Sequence, residues 1–510
     1  MKKMKAEIIV VDFGGQYAHL ISRRFRQLGV YTSVVPYHRL FAHLNEHVKG
    51  IVLSGGPASV YEKDSPVIDL SKLKGRPILG ICYGLQLITS QFGGDIRPGK
   101  KREYGKAKLR VIKKDLLFEE LPNEFVVWMS HSDEVSKMPK GFTVLADTET
   151  SPYAVISGQK IYGLQFHPEV HHTEYGLKIL ENFAYKICGI VPDFGMKDRT
   201  KEIIEKIRKT VGKGRVLCAV SGGVDSTVMA YLVWKAVGKQ ATLLFVDHGL
   251  LRKGEVEEVK QLFKKLGIGN FVFIDAKDRF LRRLRGIKDP EEKRKAIGDE
   301  FVKVFEEVAA LYGPFEWLAQ GTLYPDVIES GKSKGPAAKI KTHHNVGGLP
   351  IRLSFKLLEP LKDLYKDEVR EIAIQLGLPK KLIMRHPFPG PGLSVRIIGE
   401  VTLEKLKICR EASWIVEEIL RRRGLYDKVW QAFAIVGDDK FTGVKGDRRA
   451  YGYMVIVRIV ASEDAMTADW VRLPYDVLDE IGRKITNELP NVVWVSYVIT
   501  SKPPSTIEPQ

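Results

Sequence analysis

Apolar runs rich in β-branched residues alternate with amphipathic stretches from the start of the chain. Glu7–Asp12 (EIIVVD) is a continuous apolar run between polar residues, the pattern of a strand buried on both faces. Gln16–Leu28 has helical spacing. Thr32–Val35, Gly50–Leu53 and Pro77–Ile81 repeat the strand pattern, and Gly84–Gln91 reads as a helix. Lys160–Phe166 is a further strand, followed by a helix from about Thr173 to Ile187. Such alternation predicts a parallel α/β sheet. Cys188–Asp198 (CGIVPDFGMKD) breaks it with Gly, Pro and Gly, which places a domain boundary there. A second α/β round follows: helix Arg199–Val211, strand Arg215–Val220, helix Val224–Val237 and strand Thr242–Val246. Residues 320–350 are rich in Gly, Lys and His with little periodicity, as in functional or mobile loops. His386–Gly392 (HPFPGPG) cannot be helix or central strand and reads as a rigid connector. Beyond it, Met454–Val460 and Val492–Ile499 are strand-like. The expected fold class is α/β: two parallel-sheet domains, 1–190 and 195–386, and a smaller α+β domain, 387–510.

A length of 510 residues agrees with about three domains. Hydrophobic residues make up 44% and charged residues 28%, as in soluble globular proteins. Four cysteines, none in a C-x-x-C pair, exclude a disulfide scaffold and thiolate zinc sites. The first residues hold lysines but no apolar signal core, and no apolar run reaches the ~18 residues of a membrane span. The expected location is the cytoplasm, with no membrane partner. The net charge of +18 raises the question of nucleic acid. There is no basic tail, and the clusters Arg282–Arg283–Arg285 and Arg421–Arg422–Arg423 read as solvated helix faces. No nucleic-acid partner is expected; a basic surface also draws in anionic small substrates.

Two constellations carry chemistry. Gly80-Ile81-Cys82-Tyr83-Gly84-Leu85-Gln86 puts a cysteine where a strand ends and a helix begins, the setting of a nucleophile elbow. A helix N-terminus favours thiolate there. In Gln165-Phe166-His167-Pro168-Glu169, residues two apart on extended backbone point the same way, so His167 and Glu169 suit a base and its orienter. Backbone N–H groups of Ser54-Gly55-Gly56-Pro57 could stabilise an oxyanion. A lone cysteine is more often core, and Cys188, Cys218 and Cys409 keep that reading. SGGP, G-x-C-x-G-x-Q and HPE in this order resemble the class I glutamine amidotransferases. The resemblance implies Cys82 as nucleophile toward the glutamine amide, His167 as proton carrier and Glu169 as its orienter. It also implies an oxyanion hole from the N–H groups of Gly56 and Tyr83, and Gln86 as a glutamine contact. Trp128–Asp133 resembles a substrate-side loop of that family.

Ser221-Gly222-Gly223-Val224-Asp225-Ser226-Thr227 follows one strand and opens a helix. Two glycines, a helix N-terminus and hydroxyls make an anion cradle, and Asp225 implies Mg²⁺ between it and phosphate. No Walker lysine is present. SGGVDST resembles the pyrophosphate loop of the N-type ATP pyrophosphatases, which implies ATP bound at Ser221–Thr227 and cleaved to AMP and pyrophosphate.

The remaining motifs, Gln320–Ser330, Lys341–Asn345, Arg385–Leu393 and Thr500–Glu508, resemble the GMP synthetase family. That family adenylates the purine O2 of xanthosine monophosphate (XMP) and replaces it with ammonia from glutamine. By match, Arg294, Gln431, Lys502, Ile507 and Glu508 are implied XMP contacts, Lys332, Lys334 and Lys339 lie in a lid, and the third region forms a homodimer. The chain departs from the family pattern at Gly437–Phe441, at Val495–Val498 and at Pro509–Gln510, where an aromatic and an acid are usual.

Overall fold

The computed structural model describes residues 6–73, 75–192, 196–324, 355–462, 468–502 and 504–510. The chain forms two compact units, Met1–Gly195 and Met196–Gln510.

In the first unit, β1 (Ile8–Asp12), β2 (Thr32–Pro36), β3 (Gly50–Leu53), β4 (Ile78–Ile81), β5 (Asp95–Val111), β6 (Glu124–Lys137), β7 (Thr143–Asp147), β8 (Val155–Gly158) and β9 (Ile161–Leu164) make one sheet. Its order is β2-β1-β3-β4-β9-β8-β7-β5-β6. The first five strands in that order pair in parallel. Side chains of β1 and β3 alternate between two cores. Ile8, Val10 and Val52 pack on one face; Ile9, Val11, Ile51 and Leu53 pack on the other. Burial on both faces is why these strands read as unbroken apolar runs. The second half of the sheet, β8, β7, β5 and β6, is antiparallel and was not expected. Its long strands carry many polar residues, so no apolar run marks them. Trp128–Asp133, expected as a loop, lies inside β6.

In the second unit, β10 (Val216–Val220), β11 (Ala241–Asp247), β12 (Phe271–Asp275), β13 (Trp317–Ala319) and β14 (Lys356–Leu358) form a parallel sheet in the order β12-β11-β10-β13-β14. The order reverses direction at β10, a topological switch point, where open α/β sheets place ligands. A second sheet follows from β15 (Gln431–Lys445), β16 (Arg448–Ala461), β17 (Asp469–Trp470) and β18 (Val492–Tyr497). It is antiparallel except for the β16–β18 pair. The helix Leu403–Arg422 presents Ile408, Ile415 and Ile419 to a core that joins Leu217 and Leu244 to Val455 and Val457, so both sheets share one hydrophobic interior.

His386–Pro391 of the HPFPGPG run is neither helix nor strand, as expected, and Gly392 opens the 3-10 turn Gly392–Arg396. His386 stacks on Tyr426 with ring centres 3.8 Å apart. At Gly392 (φ +64°) a Cβ would lie 2.5 Å from the Leu250 carbonyl oxygen, so only glycine fits.

Candidate active sites

The ends of three adjacent parallel strands build the first site. SGGP follows β3, Cys82 follows β4, and His167 lies just past β9; β4 pairs with both neighbours. Cys82 has φ +52° and ψ −104° and directly precedes the helix Tyr83–Gln91. This strained corner turns the side chain out at the strand end. A Cβ at Gly80 would lie 2.5 Å from Gly84, and one at Gly84 would lie 2.4 Å from the Leu53 carbonyl oxygen. Close approach, not special φ, is what these two glycines supply. A Cβ on Gly55 would sit 3.2 Å from the His167 ring and 3.8 Å from the Cys82 Cβ, so SGGP, thiol and imidazole converge. Gly56 packs beside the Tyr83 ring, which brings the two expected oxyanion-hole residues together.

His167 Nδ1 donates to Glu169 Oε1 at 2.7 Å, and both residues are buried. Since Nδ1 is engaged, the other ring nitrogen is left for the Cys82 side, where the thiol itself donates to the Ser130 carbonyl oxygen at 3.7 Å. Burial disfavours the imidazolium, but the Glu169 carboxylate and the Cys82 sulfur outweigh it, and the His167 pKa is pushed up to about 10. Backbone anchors hold the pair: His167 N–H donates to Trp128 O (3.0 Å) and Arg24 Nε to Glu169 O (2.8 Å). Gln86 is buried and donates to the Asp133 carbonyl oxygen at 3.4 Å. The sequence reading missed two features. Gln165 Nε2 lies 4.0 Å from the Cys82 sulfur. The buried Asp133 carboxylate accepts from the hydroxyls of Ser59 and Tyr61. The other cysteines have no such company. Burial pushes Cys188 and Cys409 up to about 12 and raises Cys218 as well.

The second site opens at the carboxyl end of β10. Ser221–Gly223 turn into the helix Val224–Val237, with Gly222 at φ +83°. Ser226 Oγ accepts from the Ser221 N–H (3.1 Å) and Thr227 Oγ1 donates to Gly223 O (2.8 Å), so the hydroxyls shape the loop. Asp225 Oδ2 pairs with Lys366 Nζ at 3.4 Å, while its Oδ1 is buried without a partner. Lys366 begins the helix Lys366–Gln375, far along the chain. It was not singled out from the sequence, because no local motif ties it to the loop. Arg385 reaches Gly222 O at 3.2 Å and Glu255 at 3.0 Å.

Of the expected purine-side residues, Gln431 and Glu508 come together: Gln431 Nε2 donates to Glu508 Oε1 at 2.6 Å. Arg396, which the sequence reading left out, grips the same carboxylate at 2.7 and 3.0 Å. Lys502 pairs by backbone with Ala468, and Ile507 is half-buried. Arg294 pairs instead with Glu291, one turn away on the helix Pro290–Tyr312. The lid lysines Lys332, Lys334 and Lys339 and the segment Lys341–Asn345 lie outside the described residues.

Comparison with known proteins agrees with this geometry. Residues 9–187 match the family model "Glutamine amidotransferase class-I", 196–284 match "PP-loop domain", and 418–509 match "GMP synthase C terminal domain". A glutamine-hydrolysing GMP synthase of Carboxydothermus hydrogenoformans is 53% identical over 509 residues, 99% of this chain and 100% of that protein. One of Pyrobaculum aerophilum is 54% identical over 505 residues, 99% of each chain. One of Aquifex aeolicus is 54% identical over 505 residues, 98% of this chain and 99% of that one. With an amidotransferase segment, a PP-loop segment and matches of this length, the chain belongs to the family of glutamine-hydrolysing GMP synthases.

Proposed function

We propose that the chain makes GMP from XMP in two coupled half-reactions, with each site doing the chemistry its geometry suits. The carrying observation is the strained Cys82 elbow beside the His167–Glu169 pair. Cys82 sulfur attacks the glutamine side-chain amide carbonyl. The tetrahedral oxyanion is met by the N–H groups of Gly56 and Tyr83. His167 gives its proton to the departing ammonia, leaving a γ-glutamyl thioester, and then takes one from the water that hydrolyses it to glutamate. Glu169 holds the imidazole's orientation and balances its charge. Gln86 and the Asp133 carboxylate contact the glutamine.

In the second site the loop Ser221–Thr227 cradles the ATP phosphates. The XMP O2 attacks the α-phosphorus and pyrophosphate leaves. Ammonia then adds to the purine carbon and AMP departs. Mg²⁺ fits this site: the orphaned Asp225 Oδ1 is a hard anionic ligand beside phosphate-binding N–H groups, and a bound Mg²⁺ would offset phosphate charge. Lys366 adds a second cation. Gln431, Lys502, Ile507 and Glu508 face XMP, with Arg294 turning to it from its Glu291 pair. A division of labour among 1–190, 195–386 and 387–510 is in keeping with the three family segments. A homodimer is supported by the outer sheet, where Val444, Tyr451 and Trp494 are exposed. A cytoplasmic location is supported by four free cysteines and by the absence of any described helix long and apolar enough to cross a membrane.

The test is a product balance. XMP, ATP and Mg²⁺ with glutamine should yield GMP, AMP, pyrophosphate and glutamate in equal amounts, and ammonium should replace glutamine. ATP cleavage to AMP without GMP would mean that the acceptor is not XMP.

A further inference from the structure

Lys293 is 0% exposed, an unusual place for an ammonium. Its Nζ has three protons, and the structure gives it three acceptors: Ile397 O at 2.7 Å, Gln510 Oε1 at 3.0 Å and Ser394 O at 3.4 Å. The first and third belong to the turn that carries Arg396, whose guanidinium grips Glu508. The second lies two residues beyond Glu508. Lys293 therefore holds Glu508 from both sides: through the backbone that aims Arg396, and through the chain that follows Glu508. The same segment is stitched further back by Arg458, which donates to Ser505 Oγ and Thr506 O.

We propose that Lys293 is a positioning residue for XMP: its contact with Gln510 latches the segment 504–510 so that Ile507 and Glu508 stand ready for the nucleotide. This rests on the XMP reading given above. An ammonium can only donate, so Gln510 must present its oxygen, which fixes the amide's orientation. Burial and the nearby Lys405 lower the Lys293 pKa to about 8, while Asp438 and Asp289 oppose the shift. The neighbouring Lys405 is itself paired with Asp438 at 2.5 Å. Asp438 and Gln510 both lie in stretches where this chain departs from the family pattern. A carboxylate on Lys405 and an amide on Lys293 are how this chain accommodates two buried lysines side by side.

The test uses the full chain, with ammonium as nitrogen donor and XMP and ATP varied separately. A hydrogen bond to a buried charge is worth enough for Gln510→Ala to raise the KM for XMP about tenfold. The kcat and the KM for ATP should stay within about twofold. Gln510→Glu, which restores an acceptor, should return the KM for XMP to the starting value. Lys293→Met, which also frees the turn that aims Arg396, should raise it at least as much as Gln510→Ala does, and the double variant should add nothing beyond Lys293→Met. Hydrogen exchange over residues 500–510 reads the latch without turnover and should quicken in Gln510→Ala. Unchanged exchange overturns the latch. Faster exchange with an unchanged KM for XMP overturns the positioning role. If the unaltered chain makes no GMP from XMP, the XMP reading fails, and the exchange result still decides the latch.

Discussion

The thiol site and the nucleotide site sit at the ends of parallel strands, but they are built differently. Around Cys82 every group proposed to react hangs on one of three neighbouring strands, and the backbone itself is bent to present the sulfur. The pyrophosphate loop is also local. The proposed purine side is not: Arg396, Gln431 and Glu508 arrive from three separate segments and are joined by ion pairs and hydrogen bonds. Covalent catalysis needs reacting atoms fixed in position, which adjacent strand ends supply. Binding a polyanion needs charge gathered around it, and remote segments can supply that.

The largest expected effect tests whether the two sites are chemically separate. Cys82→Ala should lower glutamine-dependent GMP formation by about 10⁴-fold or more, because the proposed nucleophile has no substitute. The ammonium-dependent rate should stay within about twofold. A matching loss with ammonium would show that the thiol corner also shapes the nucleotide site. Asp225→Asn should instead act on the nucleotide site. It should depress both nitrogen routes by about 10³-fold while glutamine still binds, as measured by product release and by glutamine titration.

Glu169→Gln sharpens the comparison at the next level. An amide can hold the ring but cannot balance the imidazolium. Glutaminase kcat should fall about 100-fold, with little change in ammonium-dependent synthesis. The pH profile of glutamine hydrolysis should shift as well, since the carboxylate that raises the His167 pKa has gone.

The same contrast governs how much could be read from the sequence. SGGP, G-x-C-x-G-x-Q and HPE are short, and each lies at the end of a buried strand that announces itself as an apolar run. The fold and the proposed chemistry were therefore legible together. SGGVDST was legible for the same reason. Lys366, Arg396 and Lys293 were not, because their meaning lies in partners 141, 112 and 217 positions away. Arg294 was matched by motif, yet its side chain turns to Glu291. The antiparallel half of the first sheet stayed hidden because strands such as β5 bury few of the side chains described (Leu109 is the one buried) and alternate irregularly with lysines and arginines.

Lys366→Met probes the assembled side of the nucleotide site. Removing the cation beside Asp225 should raise the KM for ATP about tenfold and leave glutamine hydrolysis alone. A change confined to kcat would assign Lys366 to the departing pyrophosphate and not to ATP binding.

The smallest effect is on stability, and it separates the units by the sign of their pH response. His167 has a pKa raised from 6.5 to about 10, so the stability it gives the first unit is full below pH 6.5 and is lost as pH rises through about 10. In the second unit, burial lowers both His248 and His386 to about 4. An unfolded chain takes up those two protons near pH 6.5, before the folded chain can. The second unit therefore keeps their contribution above pH 6.5 and loses it as pH falls through about 4. Hydrogen exchange of peptides from each unit between pH 4.5 and 9 should show the first unit loosening toward alkaline pH and the second toward acid. Glu169→Gln should flatten the alkaline trend of the first unit only. His386→Phe keeps an aromatic ring against Tyr426 and should flatten the acid trend of the second unit only. If both units loosened in the same direction, the paired carboxylate in one site and the buried neutral imidazoles in the other would not be what sets their response to protons.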